Sequence, residues 1–343
     1  MMNDRWNVTV TSLCEPSQGM PGVNNMTSKT TVFRDRRLNG WPLFWLLTIP
    51  MLGFMTSAIS QHDLSAAEDI SSLIGYSVRW AVPFIFWVTA ASAMPVLFPS
   101  EFSQWWRRNT RYTGLVFAVA MGFQGAFIFL ISGVHADYYY GEIYYLRDEL
   151  EGTSGYVFLT AMVLTSFKFG RRLLSATQWK TLHRAGVYFL WAYPFSVYWW
   201  NLFYYPYEDA YYSNEYYDYL FYLLGFLAFT ARIAAWAKNK RRIRASFSAS
   251  SVPRELQIGG QMVIALGLTM AVSGHIWYPG VSSFFYADIW PASIVSLQLW
   301  LPFWPLEPFM PLITIGFGAW LLTGGSTETS QAKLRHAKQA IHN

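Results

Sequence analysis

Long apolar runs recur along the chain, and each is long enough to cross a bilayer only as a helix. Crossing about 30 Å of hydrocarbon takes about 20 helical residues, and inside lipid every backbone N–H and C=O must find its partner within the segment. Eight stretches meet that requirement: 41–60, 73–98, 112–133, 153–170, 182–203, 217–237, 258–278 and 305–323. The expected fold is therefore all-α, a polytopic membrane helical bundle of about eight transmembrane helices. Composition agrees, since 13% of residues are charged against roughly 25% in a typical soluble domain. The fourth run is short, and an extension toward Leu174 would complete it. Pro305, Pro308 and Pro311 crowd the eighth, so its outer turn is expected to be irregular or kinked.

Charge sets the expected orientation, because translocation disfavours Lys- and Arg-rich loops. Of the 25 Lys and Arg residues, 23 fall in the two tails and in alternate loops: Arg107 to Arg111, Lys168 to Arg184 and Arg232 to Arg254. Arg79 and Arg147 are the exceptions. On the opposite side lie 14 of the 20 carboxylates, in loops dense in tyrosine. Both tallies put both termini in the cytoplasm. The expected division is a polar cytoplasmic N-terminal tail (1–40), a six-helix membrane bundle (41–237), a basic cytoplasmic linker (238–257), two further transmembrane helices (258–323) and a cytoplasmic C-terminal tail (324–343). The first 38 or so residues contain no apolar core of the signal-peptide kind. The expected location is multi-pass in a bacterial inner (plasma) membrane.

The tyrosines of the outer loops suit a membrane interface, where an aromatic body with one polar tip is at home. An acidic, aromatic docking or cation-collecting surface is the sharper reading. The basic linker AKNKRRIRASFSASSVPRE fits a positive loop beside anionic lipid better than a nucleic-acid partner. A single cysteine, Cys14, excludes an intramolecular disulfide framework and a multi-cysteine metal site. No glycine-rich phosphate loop, HExxH pair, nucleophile elbow or intramembrane carboxylate dyad occurs. Hydrolysis and phosphoryl transfer have no recognisable machinery.

Ionisable groups within a membrane are costly and are default functional candidates. Arg79 is close enough to the outer end of its run to snorkel, while Arg232 and Lys238 sit at the inner end of the sixth. His62, His135 and His275 map to outer helix ends or loops, and His336 and His342 to the C-terminal tail. Only His183, in QWKTLHRAGVYFLW, lies within the inner part of a run. If Ser175 caps that helix, His183 is about 12 Å along it. By the same rise from Arg111, Met121 lies about 15 Å and Gln124 about 20 Å along the third run. Gly114, Ala118, Gly122 and Ala126 form a row of small residues there. Such a row admits either a neighbouring helix or something flat. In the second case a porphyrin lies along the row, with Met121 and Gln124 beside it; a thioether and an imidazole are a known axial pair for haem iron.

Two ordered motifs carry a resemblance. Arg108-Asn109-Thr110-Arg111-Tyr112-Thr113-Gly114-Leu115 opens the third run, and Trp179-Lys180-Thr181-Leu182-His183-Arg184 opens the fifth after a short span ending in Thr165-Ser166-Phe167. Over roughly residues 73–201 the chain resembles the ferric reductase-like transmembrane family. That family includes membrane subunits of bacterial methionine sulfoxide reductase systems and the membrane parts of NADPH oxidases and ferric-chelate reductases. The resemblance implies a bundle holding b-type haem between the third and fifth helices, with His183 at the family's inner histidine position. Where relatives carry histidine on the third helix, this chain has Met121 and Gln124. About 13 residues after His183, where two-haem relatives have a second ligand, it has Ser196.

The expected function is transmembrane electron transfer through at most one b-type haem, with His183 and Met121 as candidate iron ligands and Gln124 beside them, or with five-coordinate iron on His183. The chain would be an oxidoreductase component without its own flavin or nicotinamide domain, since about 20 residues follow the last run. A separate reductase or quinol would supply electrons, and a periplasmic partner is expected; membrane lipid surrounds the bundle and nucleic acid is not expected. Two alternatives stand beside this: a cofactor-less scaffold or partner subunit of a membrane complex, and a transporter using the acidic outer loops.

Overall fold

The computed structural model of the chain describes residues 32–208, 214–246, 252–285, 303 and 306–324. The N-terminal tail up to residue 31 with Cys14, the C-terminal tail from 325 with its two histidines, residues 247–251 of the basic linker, Asp288 and Pro305 lie outside the described residues. Among the described residues the chain is all-helical, without strands. Its principal helices are α1 (Trp41–Gln61), α2 (Ala67–Ala90), α3 (Glu101–Val134), α4 (Leu146–Ser166), α5 (Ala176–Phe203), α6 (Tyr216–Ser246), α7 (Arg254–Val272), α8 (Gly274–Phe285) and α9 (Met310–Leu322). Five of them, α1, α2, α3, α6 and α7, are long and apolar enough to cross a membrane, and a shorter apolar helix covers Glu307–Leu322. Helices α4 and α5 have 21 and 28 residues, but each opens on charge, at Arg147 to Glu151 and at Lys180 to Arg184.

Local chemistry explains where these helices begin and end. Helix α3 starts about three turns before the apolar run because Ser100 and Ser103 cap it reciprocally: Ser103 N–H donates to Ser100 Oγ at 3.1 Å and Ser100 N–H to Ser103 Oγ at 3.0 Å. Ser175 caps α5 as expected, accepting from Gln178 N–H at 3.2 Å, while Gln178 Oε1 accepts from Ser175 N–H at 2.9 Å. The expected extension of the fourth run does not form. Helix α4 stops at Ser166, Phe167 turns extended at φ −99°, ψ 157°, and a separate turn covers Lys168–Arg171. Gly170 permits that reversal, since a Cβ there would collide with the Leu164 carbonyl. The second run breaks after Ala90, before the turn Met94–Leu97. The seventh breaks at Ser273, where α8 begins. The irregular start expected of the last run is present as a one-turn 3-10 helix, Glu307–Phe309, entered through Leu306 in the left-handed region at φ 76°.

The core is aromatic. Trp191, Phe195 and Trp199 follow one another at i, i+4 and i+8 on α5 and are at most 2% exposed. Trp191 stacks on Phe195 at 4.7 Å, and Phe195 stacks on Tyr222 of α6 at 5.5 Å. Gly225 lets α6 approach this ladder, because a Cβ there would lie 2.8 Å from Phe86 and 3.0 Å from Phe195. Arg232 of α6 ties three helices together. Its Nη1 donates to Thr89 O at 3.0 Å and its Nε and Nη2 to Tyr188 Oη at 3.1 and 2.8 Å.

Close packing through small residues occurs between α7 and α9, not along the row on α3. A Cβ on Gly260 would lie 2.8 Å from Gly318 O, and one on Gly318 would lie 2.7 Å from Gly260 O. Such contact lets backbones meet where no hydrophobic force separates helix from lipid. On α3, by contrast, nothing lies within 4 Å of a Cβ built on Gly122, and Ala126 is exposed.

Candidate functional site: two cavities of opposite charge

Helices α3, α4 and α5 enclose two cavities that share the side chains of Phe117, Leu159 and Leu190. The first, about 600 Å³, lies toward the carboxylate- and tyrosine-rich end of the bundle. Asp148, Glu149 and Glu151 line it, together with Tyr139, Tyr156 and Tyr193. The second, about 640 Å³, lies toward the arginine-rich end. These volumes are in the range of small-molecule sites, roughly 300–1,000 Å³.

Met121 and Gln124 both line the first cavity. Tyr156 of α4 closes over them, its hydroxyl 3.0 Å from Met121 O and 3.1 Å from Gln124 Oε1. Gly125 makes room for that ring, since a Cβ there would sit 3.2 Å from the Tyr156 hydroxyl. Nearby, Tyr139 donates to Glu149 Oε2 at 2.9 Å. Burial, followed by that bond and charge, pushes the Tyr139 phenol up to about 12. Glu151 is buried and accepts from Phe303 N–H at 2.8 Å.

His183 lines the second cavity. Its Nε2 lies 3.0 Å from Thr165 Oγ1, at the end of α4. The Thr165 hydroxyl has one proton, and Ala161 O, 2.7 Å away, takes it. The network therefore assigns the Nε2–H tautomer to His183, with Thr165 accepting. Trp179, one turn earlier, packs its ring 4.3 Å from the imidazole and donates from Nε1 to Thr165 O at 3.1 Å. Arg171 stands over Trp179 at 5.3 Å and donates to Leu174 O at 2.8 Å. Ser196 is 5% exposed and donates to Tyr193 O at 2.8 Å.

The expected site residues are thus not brought together. Met121 and Gln124 face one cavity and His183 the other, with Phe117, Leu159 and Leu190 common to the two linings. Equal depth along two helices left their rotation free, and rotation separates them. This arrangement does not place a haem between His183 and Met121: Nε2 of His183 is engaged with Thr165 Oγ1, and Met121 lines the other cavity. Among the described residues no group of three or more His, Cys, Asp or Glu side chains stands ready to hold a metal ion.

Sequence reasoning missed Tyr156 and Arg171 and treated the arginines only as markers of orientation. Arg107, Arg108 and Arg111 occupy the second and third turns of α3, and Arg171, Arg184 and Arg232 join them around the second cavity. Their spacing along α3 was visible; their convergence with arginines 60 to 125 positions away was not. Compared with protein-family models, with curated proteins and with solved structures, the chain matches none of them.

Proposed function

We propose that the chain is a cofactor-free membrane scaffold or partner subunit with a ferric reductase-like arrangement of helices. On this reading α1 to α7 and the last apolar helix make eight crossings, with the arginine-rich ends and both termini in the cytoplasm. Five apolar helices and the segregation of Lys and Arg from Asp and Glu support that topology. His183 then acts as a hydrogen-bond donor that pins the end of α4 to the second turn of α5.

One observation carries this reading: Nε2 of His183 lies 3.0 Å from Thr165 Oγ1, whose hydroxyl is also 2.7 Å from Ala161 O, so the imidazole is engaged between α4 and α5. The other positions at which relatives place ligands are engaged in the same way, Gln124 by Tyr156 and Ser196 by Tyr193 O.

The test is optical. Protein purified from cells supplied with haem is expected to be colourless and well folded, and His183→Ala to lower its stability without altering its absorbance. A Soret band with a dithionite-sensitive α band, lost in His183→Ala, would restore the single-haem electron-transfer reading. Tagged protein should also recover a stable membrane or periplasmic partner, and recovery of the bare chain alone would count against a subunit role.

A further inference from the structure

Six arginines and no carboxylate line the second cavity. Arg107, Arg108 and Arg111 come from α3, Arg171 from the turn after α4, Arg184 from α5 and Arg232 from α6. Where other arginines of the chain have ion pairs, as Arg34 has with Glu101 and Arg147 with Asp148 and Glu151, none of these six is within 4.0 Å of a carboxylate among the described residues. Their partners are neutral. Arg108 donates to Asn39 Oδ1 at 2.9 Å, Arg111 lies over Phe167 at 5.3 Å, and Arg232 is bonded to Tyr188 and Thr89. Six like charges around one chamber repel one another, and an anion at their centre reverses the sign of that interaction.

The rest of the lining is graded. Thr110, Thr165 and Ser166 stand near the guanidiniums, whereas Phe117, Leu159 and Leu190 close the deep end toward the first cavity. Arg107 and Arg184 are solvent-exposed, and Leu159 and Leu190 are buried. A cationic mouth over an apolar floor matches an amphiphile with a phosphate head and a hydrocarbon tail, and Arg forks suit phosphate oxygens geometrically. A fully polar anion would leave the apolar floor unpaired.

We propose that this chamber binds one anionic phospholipid of the surrounding bilayer, its phosphate among Arg107, Arg111, Arg171 and Arg184 and its chain against Phe117, Leu159 and Leu190. The site goes beyond the positive loops that merely face a membrane, because it is a cavity built from four different parts of the chain. It rests on the proposed function only in that haem does not fill the chamber. A Soret band sinks that reading, whereas indifference to lipid in a colourless protein sinks this one alone.

Full-length protein in a neutral detergent is titrated with phosphatidylglycerol, with phosphatidylcholine and with inorganic phosphate, and followed by thermal unfolding and by native mass spectrometry. One phosphatidylglycerol is expected to be retained and to raise the unfolding temperature, with phosphatidylcholine and inorganic phosphate inactive at the same concentration. Equal action of the two lipids, or of phosphate alone, overturns the proposal. In Arg107→Gln/Arg184→Gln, neither of whose side chains makes a hydrogen bond among the described residues, retention should weaken roughly thirtyfold, two charges' worth of attraction at an anionic surface. The control Arg172→Gln/Lys180→Gln removes the same charge from the same end without touching the lining. It should retain the lipid, and an equal loss there would reduce the effect to general surface charge.

Discussion

The imidazole Nε2 of His183 lies 3.0 Å from the hydroxyl of Thr165, joining α5 to the last turn of α4. That bond sits where α4 ends early and the chain reverses through Lys168–Arg171. It converts the most conspicuous histidine of the sequence into a clasp. Removing the acceptor tests it: Thr165→Val should destabilise the protein by about 1–3 kcal/mol, the cost of leaving a partly buried donor unpaired. A double-mutant cycle with His183→Ala in thermal or denaturant unfolding should show coupling, and additive effects would mean that the two residues do not interact.

Arg232 is held by Tyr188 and by the Thr89 carbonyl, so three helices depend on one guanidinium. Tyr188→Phe removes an acceptor reached by both Nε and Nη2. The expected loss is about 1.5–3 kcal/mol, the range for hydrogen bonds to charged groups. An unchanged unfolding midpoint would show that water replaces the phenol without cost.

The crossing of α7 and α9 has no space for a side chain at Gly318. Gly318→Leu should cost at least about 1–3 kcal/mol through overpacking and helix separation. Gly316, two residues earlier on the same helix, has nothing within 4 Å of a built Cβ. Gly316→Leu therefore serves as a control for propensity, and equal effects of the two changes would remove the crossing as the cause.

Glu307 is fully buried, and neither carboxylate oxygen has a hydrogen-bond partner among the described residues. A buried, unpartnered polar group costs about 1–3 kcal/mol. Glu307→Met keeps the volume and removes that cost, so its unfolding temperature should rise. A fall would reveal a stabilising interaction of the carboxyl that the geometry does not contain.

Tyr139 titrates high, at about 12, chiefly because burial disfavours the phenolate and then because Glu149 accepts its proton. A folded value raised above the ordinary 10 contributes stability that is complete below pH 10 and disappears as pH climbs to about 12. Difference absorbance of phenolate between wild type and Tyr139→Phe should place the lost titration near pH 12. A difference centred at pH 10 would mean that the Tyr139–Glu149 bond does not persist in solution.

How far the sequence alone reached follows from the range of each interaction. Apolar runs, capping pairs such as Ser175 with Gln178, and the segregation of Arg and Lys are local or additive along the chain, so the helices and their charged ends could be read from it. Boundaries were harder, because the stop after Ser166 depends on Gly170 folding back on Leu164 and the break after Val272 on the packing of α8.

The site was legible only in part. His183 stood out because an imidazole in an apolar run is costly, and that reasoning identified a residue with a defined partner. The residue expected opposite it, Met121, lines the other cavity, since depth along a helix follows from a fixed rise per residue while the face presented depends on how neighbouring helices pack. Sequence by itself determined an all-helical chain with helices long and apolar enough to cross a membrane and with Arg and Lys segregated from Asp and Glu. Only the tertiary structure decided that Met121 and His183 face separate cavities and that six arginines from four parts of the chain surround one of them, because both depend on the rotation and approach of whole helices.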